Sequence, residues 1–179
     1  MQIGGIGEPT SASNYRVWYP LRALERLGHE AVFPNAEAHT PHDALLRCDA
    51  VIVYRSADPE AQDLIRRLRD NGVGVVWDND DDYLNLPMTR QNRRNIGGTD
   101  GARVFAELVR TAQSAHVVTV TTPTLASVFA GAGVEGVRVI DNCLEIGPRP
   151  RLPHDGLTIG WIAVAGPPRA RTRRGASPM

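Results

Sequence analysis

The chain contains no lysine: its 20 basic side chains are all arginine, set against 20 acidic ones for a formal net charge of zero. Neutrality argues against a generic nucleic-acid or membrane-surface binder, which carries a surplus of positive charge. Cysteine is scarce. Cys48 and Cys143 are too few for a disulfide framework and read as two reduced, partly buried thiols. No run approaches the ~20 apolar residues of a membrane span. The N-terminus lacks the basic region and apolar core of a signal peptide, so the cytoplasm is the expected compartment. Also missing are the G-x-G-x-x-G, P-loop and G-x-S-x-G motifs. The histidines, at 29, 39, 42, 116 and 154, show no H-x-x-x-H pair and no cysteine at ligand spacing, which argues against zinc.

What is present suits an ordinary globular domain. The length is 179 residues and 42% are hydrophobic, enough to bury roughly 70% of the unfolded surface. The neutrality hides an asymmetry. Residues 166–179 (GPPRARTRRGASPM) hold four Arg and no acid, so residues 1–165 carry 16 Arg against 20 acids. A +4 tail thus follows a −4 body. Lysine-free, arginine-, alanine- and proline-rich usage fits the coding bias of a GC-rich genome.

Short β-rich runs alternate with amphipathic stretches. The pattern predicts a strand over 1–6, a small-residue loop over 7–14, and a helix carrying Val17, Leu21, Leu24 and Leu27 with Pro20 in its first turns. Strands follow at 30–33, 49–54 (DAVIVY) and 73–77 (VGVVW), with a short helix around 43–47. Asp58-Pro59 and Thr122-Pro123 each pair an N-cap with proline at the first helical position, and Asp100 caps a third helix. Residues 83–99 read as an excursion. Further strands are expected at 117–121, 137–140 and 157–162. Strands alternating with helices imply an α/β fold: a Rossmann-like parallel sheet with helices on both faces.

Ligands of such sheets bind at the carboxyl ends of the strands. Three segments fall there: the loop 7–16, the cluster 78–82, and Thr121-Thr122 with Asn142. Gly4, Gly5 and Gly7 do not make a dinucleotide fingerprint, although backbone N–H groups of the loop suit a phosphate or sugar, with Arg16 adding a charge-assisted bond. Asp78, Asp80, Asp81 and Asp82 put four carboxylates in five residues. Such a cluster needs cations, amides or water around it. Four readings stay open: a divalent metal as in D-x-D sugar transferases, hydrogen bonds to ligand hydroxyls, salt bridges to Arg90, Arg93 and Arg94, or a solvated strand end.

Taken in order, these segments resemble the N-terminal, acceptor-side domain of bacterial GT-B glycosyltransferases. Tyr15-Arg16-Val17 with Pro20, Leu21, Leu24, Gly28 and His29 is similar to their opening "YR…P…L…GH" pattern, and DAVIV (49–53) with Arg55 to their next strand. VVWDNDDDYLNLP (75–87) resembles the "D-x-D-D" stretch of one subgroup; HVVTVTTPTLASVF (116–129) and VRVIDNCLE (137–145) resemble its "T-P-x-L" and "V-I-P-N" segments. LTIGWIA (157–163) is similar to the first strand of the donor-binding domain.

The resemblance implies transfer of a sugar from a nucleotide sugar to an acceptor, without a metal or other cofactor. Its carry-over makes Asn14, Arg16, Arg55, Asp78, Asp80, Asp81, Asp82 and Asn142 the candidate substrate-binding residues, with no catalytic base assigned. The implied organisation is a Rossmann-like domain over 1–155, a remnant donor-domain strand over 156–165 and a disordered tail over 166–179. On this expectation the chain is a truncated or frame-shifted product, weakly active or inactive. The alternative is a non-catalytic carbohydrate- or nucleotide-binding module, or one that pairs with a separately encoded donor-domain chain. A receiver domain is disfavoured because it needs a lysine on its last strand. Nucleic acid and membrane are not expected partners.

Overall fold

The computed structural model describes residues 1–7, 11–33, 42–87, 89 and 100–142. The chain divides into Met1–Glu145 and Ile146–Met179, and all described residues belong to the first unit. Cys143, the arginines at 90, 93 and 94, the expected strand at 157–162 and the tail lie outside the described residues.

Among the described residues six strands form one all-parallel sheet, ordered β2-β1-β3-β4-β5-β6. They are β1 (Gln2–Ile6), β2 (Glu30–Val32), β3 (Ala50–Tyr54), β4 (Gly74–Asn79), β5 (Val117–Val120) and β6 (Val137–Val139). The helices are α1 (Tyr19–Arg26), α2 (Pro59–Asp70), α3 (Gly101–Gln113) and α4 (Pro123–Gly131). A 3-10 segment, His42–Arg47, precedes β3.

Side chains alternate across a strand, and β3 shows the two faces. Val51 and Val53 join the larger core with Trp77 of β4, Leu64 and Leu68 of α2, Phe105 and Leu108 of α3 and Phe129 of α4. Ile52 and Tyr54 face the other way, onto Val17 and Leu21 beside α1. The Trp77, Phe129 and Phe105 rings stack in series at 5.6 and 5.2 Å. The expected caps form: Asp58, Asp100 and Thr122 side chains accept from the N–H groups of Ala61, Ala102 and Leu125.

Gly4 and Gly5 serve packing. A Cβ on Gly4 would lie 2.5 Å from Leu45, and one on Gly5 2.6 Å from Leu21. Their absent side chains let the 3-10 segment and α1 lie directly on opposite faces of β1.

Two boundaries differ from the sequence reading. The expected loop is helical from Ser11, through a turn at Ser11–Ser13 and a π-helical turn at Asn14–Trp18. Pro20 explains the widening. It has no N–H for the carbonyl four residues back and its ring crowds that carbonyl, so the Tyr19 N–H reaches the Asn14 carbonyl instead. Asn14 and Arg16 therefore sit on a helix rather than in a loop. Strand β4 also runs two residues beyond Trp77, which brings Asp78 and Asn79 into the sheet.

Candidate functional site

Strands β1 and β3 are neighbours whose onward connections diverge, one to β2 and the other to β4. This is the switch point at which open α/β sheets form their ligand crevice. A crevice of about 200 Å³ opens there, lined by Ile6, His42, Val53, Ser56, Asp58 and Glu60 among others.

The acidic segment lies outside that lining, at the end of β4, and divides by depth. Asp78 is deepest. Arg16 donates from Nε to its Oδ1 at 2.8 Å and from Nη2 to its Oδ2 at 2.5 Å, with the two side chains 2% and 4% exposed. Thr119, in register with Asp78 on β5, donates its hydroxyl to the same Oδ2. Arg16 also donates from Nη1 to the Ile140 carbonyl at 2.5 Å and lies 3.5 Å from Asn142 Oδ1. One guanidinium thus ties the helix after β1 to β4 and to the end of β6. Burial pushes the Asp78 carboxyl above its ordinary range, and Arg16 and Thr119 pull it back only in part.

Asp80 and Asp81 lie nearer the surface. The Tyr54 hydroxyl donates to Asp80 Oδ1 at 2.6 Å. Arg55 hydrogen-bonds Asp81 and comes within 3.7 Å of Asp80. Its guanidinium also stacks 5.2 Å from the Tyr54 ring centre. Side-chain exposure rises from 14% at Asp80 to 46% at Asp81. Burial, then the Asp80 charge, raises the Asp81 carboxyl against the opposing pull of Arg55. Burial, then the hydrogen bond to Asp80, drives the Tyr54 hydroxyl upward.

Arg55 is the one non-glycine residue with positive φ, at 52°, among the described residues. Its N–H donates to the Asp78 carbonyl at 2.7 Å, so the sheet pairing and the two ion pairs hold this costly conformation in place. The buried Asn79 donates from Nδ2 to the Asp81 carbonyl, while its Oδ1 has no partner among the described residues.

Of the remaining predicted residues, Asn142 touches the cluster through Arg16, whereas Asp82 and Asn14 stand apart from it. Asp82 accepts from the Asn85 backbone and side chain, closing a local turn. Asn14 is half-buried in the π-helical turn, and Asn142 is exposed. Tyr54, Thr119 and Asn79 are site residues that sequence reasoning passed over. Tyr54 had one usable signal: strand alternation puts it on the α1 face. The Thr119–Asp78 contact depends on register between two parallel strands, which a sequence does not carry.

Chemically, the Arg16–Asp78 pair is saturated and organises the edge. The Arg55–Asp80–Asp81–Tyr54 group is partly open and offers carboxylate lone pairs and guanidinium N–H groups to a polar ligand. No group of three or more His, Cys, Asp or Glu suited to a metal ion occurs among the described residues, and no helix there is long and apolar enough to cross a membrane. No protein-family model matches the chain, and a search of curated proteins finds no match.

Proposed function

We propose that the chain is the acceptor-side domain of a GT-B-type glycosyltransferase, taking a hydroxyl-bearing acceptor at the carboxyl edge of the sheet for reaction with a nucleotide sugar. The observation carrying this reading is the pair Asp80 and Asp81, held half-open beside the switch point by Arg55 and Tyr54. Carboxylates fixed in this way accept hydrogen bonds from sugar hydroxyls, and Arg55 adds donors for ring or hydroxyl oxygens. The parallel sheet supports the reading by putting these residues at one edge. Arg16 and Asp78 position that edge from beneath.

The reading assigns binding and leaves catalysis unassigned. Asp80 is engaged by the Tyr54 phenol and Arg55, and Asp81 by Arg55 and the Tyr83 hydroxyl, so neither stands free as a general base. That observation favours a second reading, in which the same edge binds a carbohydrate without transferring it, alone or beside a separate donor-binding chain.

Calorimetric titration with monosaccharides, simple glycosides and nucleotide sugars tests the proposal. A glycoside is expected to bind, and Asp81→Ala to weaken it about tenfold, the worth of one charge-assisted hydrogen bond. Binding of every ligand unchanged by Asp81→Ala overturns the assignment of this edge. Transfer from a labelled nucleotide sugar to the bound glycoside separates the transferase from the binding module.

A further inference from the structure

The opposite end of the sheet holds a larger concavity. The last turns of α2 and α3 enclose a cleft of about 540 Å³. Arg66, Arg69 and Asp70 line it from α2, Arg110 and Ser114 from α3 and its C-cap, and His116 from the residue before β5. It lies at the amino ends of β4 and β5, where His116 hydrogen-bonds Val75 twice: its N–H donates to the Val75 carbonyl and its Nδ1 accepts from the Val75 N–H, each at 3.0 Å. The first is a backbone bond; the second holds the imidazole with Nδ1 as acceptor and leaves Nε2 as the ring's donor.

The arginines are not equally compensated. Arg66 pairs with Asp63 and Asp70. Arg69 donates from Nη1 to the Ser114 carbonyl at 2.5 Å, a neutral partner that leaves its charge uncancelled. Arg110 has no hydrogen-bond or ion-pair partner among the described residues. The carboxyl ends of two helices also meet here, and each contributes about −0.5 of an elementary charge. Because Arg66 meets two carboxylates, the three arginines, Asp63, Asp70 and the two helix ends sum to about zero, and Arg69 and Arg110 are the guanidinium groups left without a carboxylate of their own. Guanidinium forks match phosphate oxygens in geometry as well as in sign.

We propose that this cleft is a second ligand site, for a small molecule bearing a phosphate or diphosphate group, held by Arg69 and Arg110 with His116 Nε2 as a neutral donor. A nucleic-acid strand fits less well. The lining offers no Phe, Tyr or Trp for base stacking, and the chain as a whole is neutral. The site stands independently of the reading of the carboxyl edge.

Titration of the full chain with inorganic pyrophosphate tests the proposal. Wild type is expected to bind, with Arg110→Ala and Arg69→Ala each weakening binding about tenfold and added salt weakening all three. Arg110 is exposed and unpaired, so its loss leaves the fold intact. Arg103→Ala is the control: it removes an exposed arginine of α3 whose partner is Glu107, and it is expected to change nothing. Asp81→Ala is likewise expected to leave pyrophosphate binding unchanged, which separates this site from the carboxyl-end one. Absence of wild-type binding overturns the proposal. So does an Arg110→Ala variant that binds like wild type, or an Arg103→Ala loss as large as that of Arg110→Ala. Tighter binding of a single-stranded oligonucleotide than of pyrophosphate, lost in the same variants, overturns the small-molecule assignment.

Discussion

At the carboxyl end of the sheet, three closely spaced acids each meet an arginine or a phenol: Asp78 meets Arg16, Asp80 meets Tyr54, and Asp81 meets Arg55. At the amino end, Arg69 and Arg110 face a cleft with no carboxylate partner of their own. Depth accounts for the difference. A charge taken out of water at Asp78 must be matched or it destabilises the fold, whereas Arg110 remains solvated and carries no such constraint. Charge density alone therefore does not mark a binding site. The densest acidic segment is largely consumed by the fold, and the sparser basic group is the one left available.

The largest expected effect tests the buried side of this contrast. Arg16→Ala leaves Asp78 buried without its cation and is expected to cost about 3–5 kcal/mol in urea unfolding. Replacing the pair together, as Arg16→Met with Asp78→Leu, is expected to cost much less, because no uncompensated charge remains. An Arg16→Ala cost below about 1 kcal/mol would erase the distinction between the two ends. Tyr54→Phe comes next. It keeps the ring on Val17 and Leu21 and removes the hydrogen bond to Asp80, for an expected loss of about 1–2 kcal/mol.

The sequence carried the sheet well because each buried strand is a short β-rich run and three of the four helix starts have a side-chain cap, followed in two cases by proline. Asp58-Pro59 and Thr122-Pro123 are local signals and form locally. The π-helical turn was harder to foresee, since it follows from a clash between Pro20 and the preceding turn. The site was half legible. Composition pointed to residues 78–82, but not to their unequal fates. Asp78 is sealed by partners 62 and 41 positions away, Asp81 is half-open, and Asp82 closes its own turn. The arginine-lined cleft left no sequence signal, because its arginines are scattered among 20 and only the packing of α2 against α3 gathers them.

A smaller effect distinguishes the half-open acid from the sealed one. Burial and then Asp80 raise the Asp81 carboxyl above its ordinary 3.8, so the folded state holds that proton more tightly than the unfolded chain does. Its contribution to stability is fully present below pH 3.8 and is lost as the pH rises through the folded value. Asp81→Asn removes this titration. The difference in Tm, variant minus wild type, is therefore expected to grow as the pH is raised from below 3.8 to neutrality. A difference that shrinks over the same range would mean that Arg55 outweighs burial at this position.

The smallest expected effect is at the amino end. Arg110 lies in the last turn of α3, where a cation interacts favourably with the helix terminus for a few tenths of a kcal/mol at an exposed site. Arg110→Ala is accordingly expected to change urea stability by no more than about 0.5 kcal/mol. The same truncation, arginine to alanine, is thus predicted to be severe at Arg16 and nearly silent at Arg110. Because the side chain removed is the same, the gap between the two measurements reports what surrounds each guanidinium, a buried carboxylate in one case and solvent in the other. An Arg110→Ala loss of about 2 kcal/mol or more would show that this arginine is tied into the fold and would collapse the comparison from the other side.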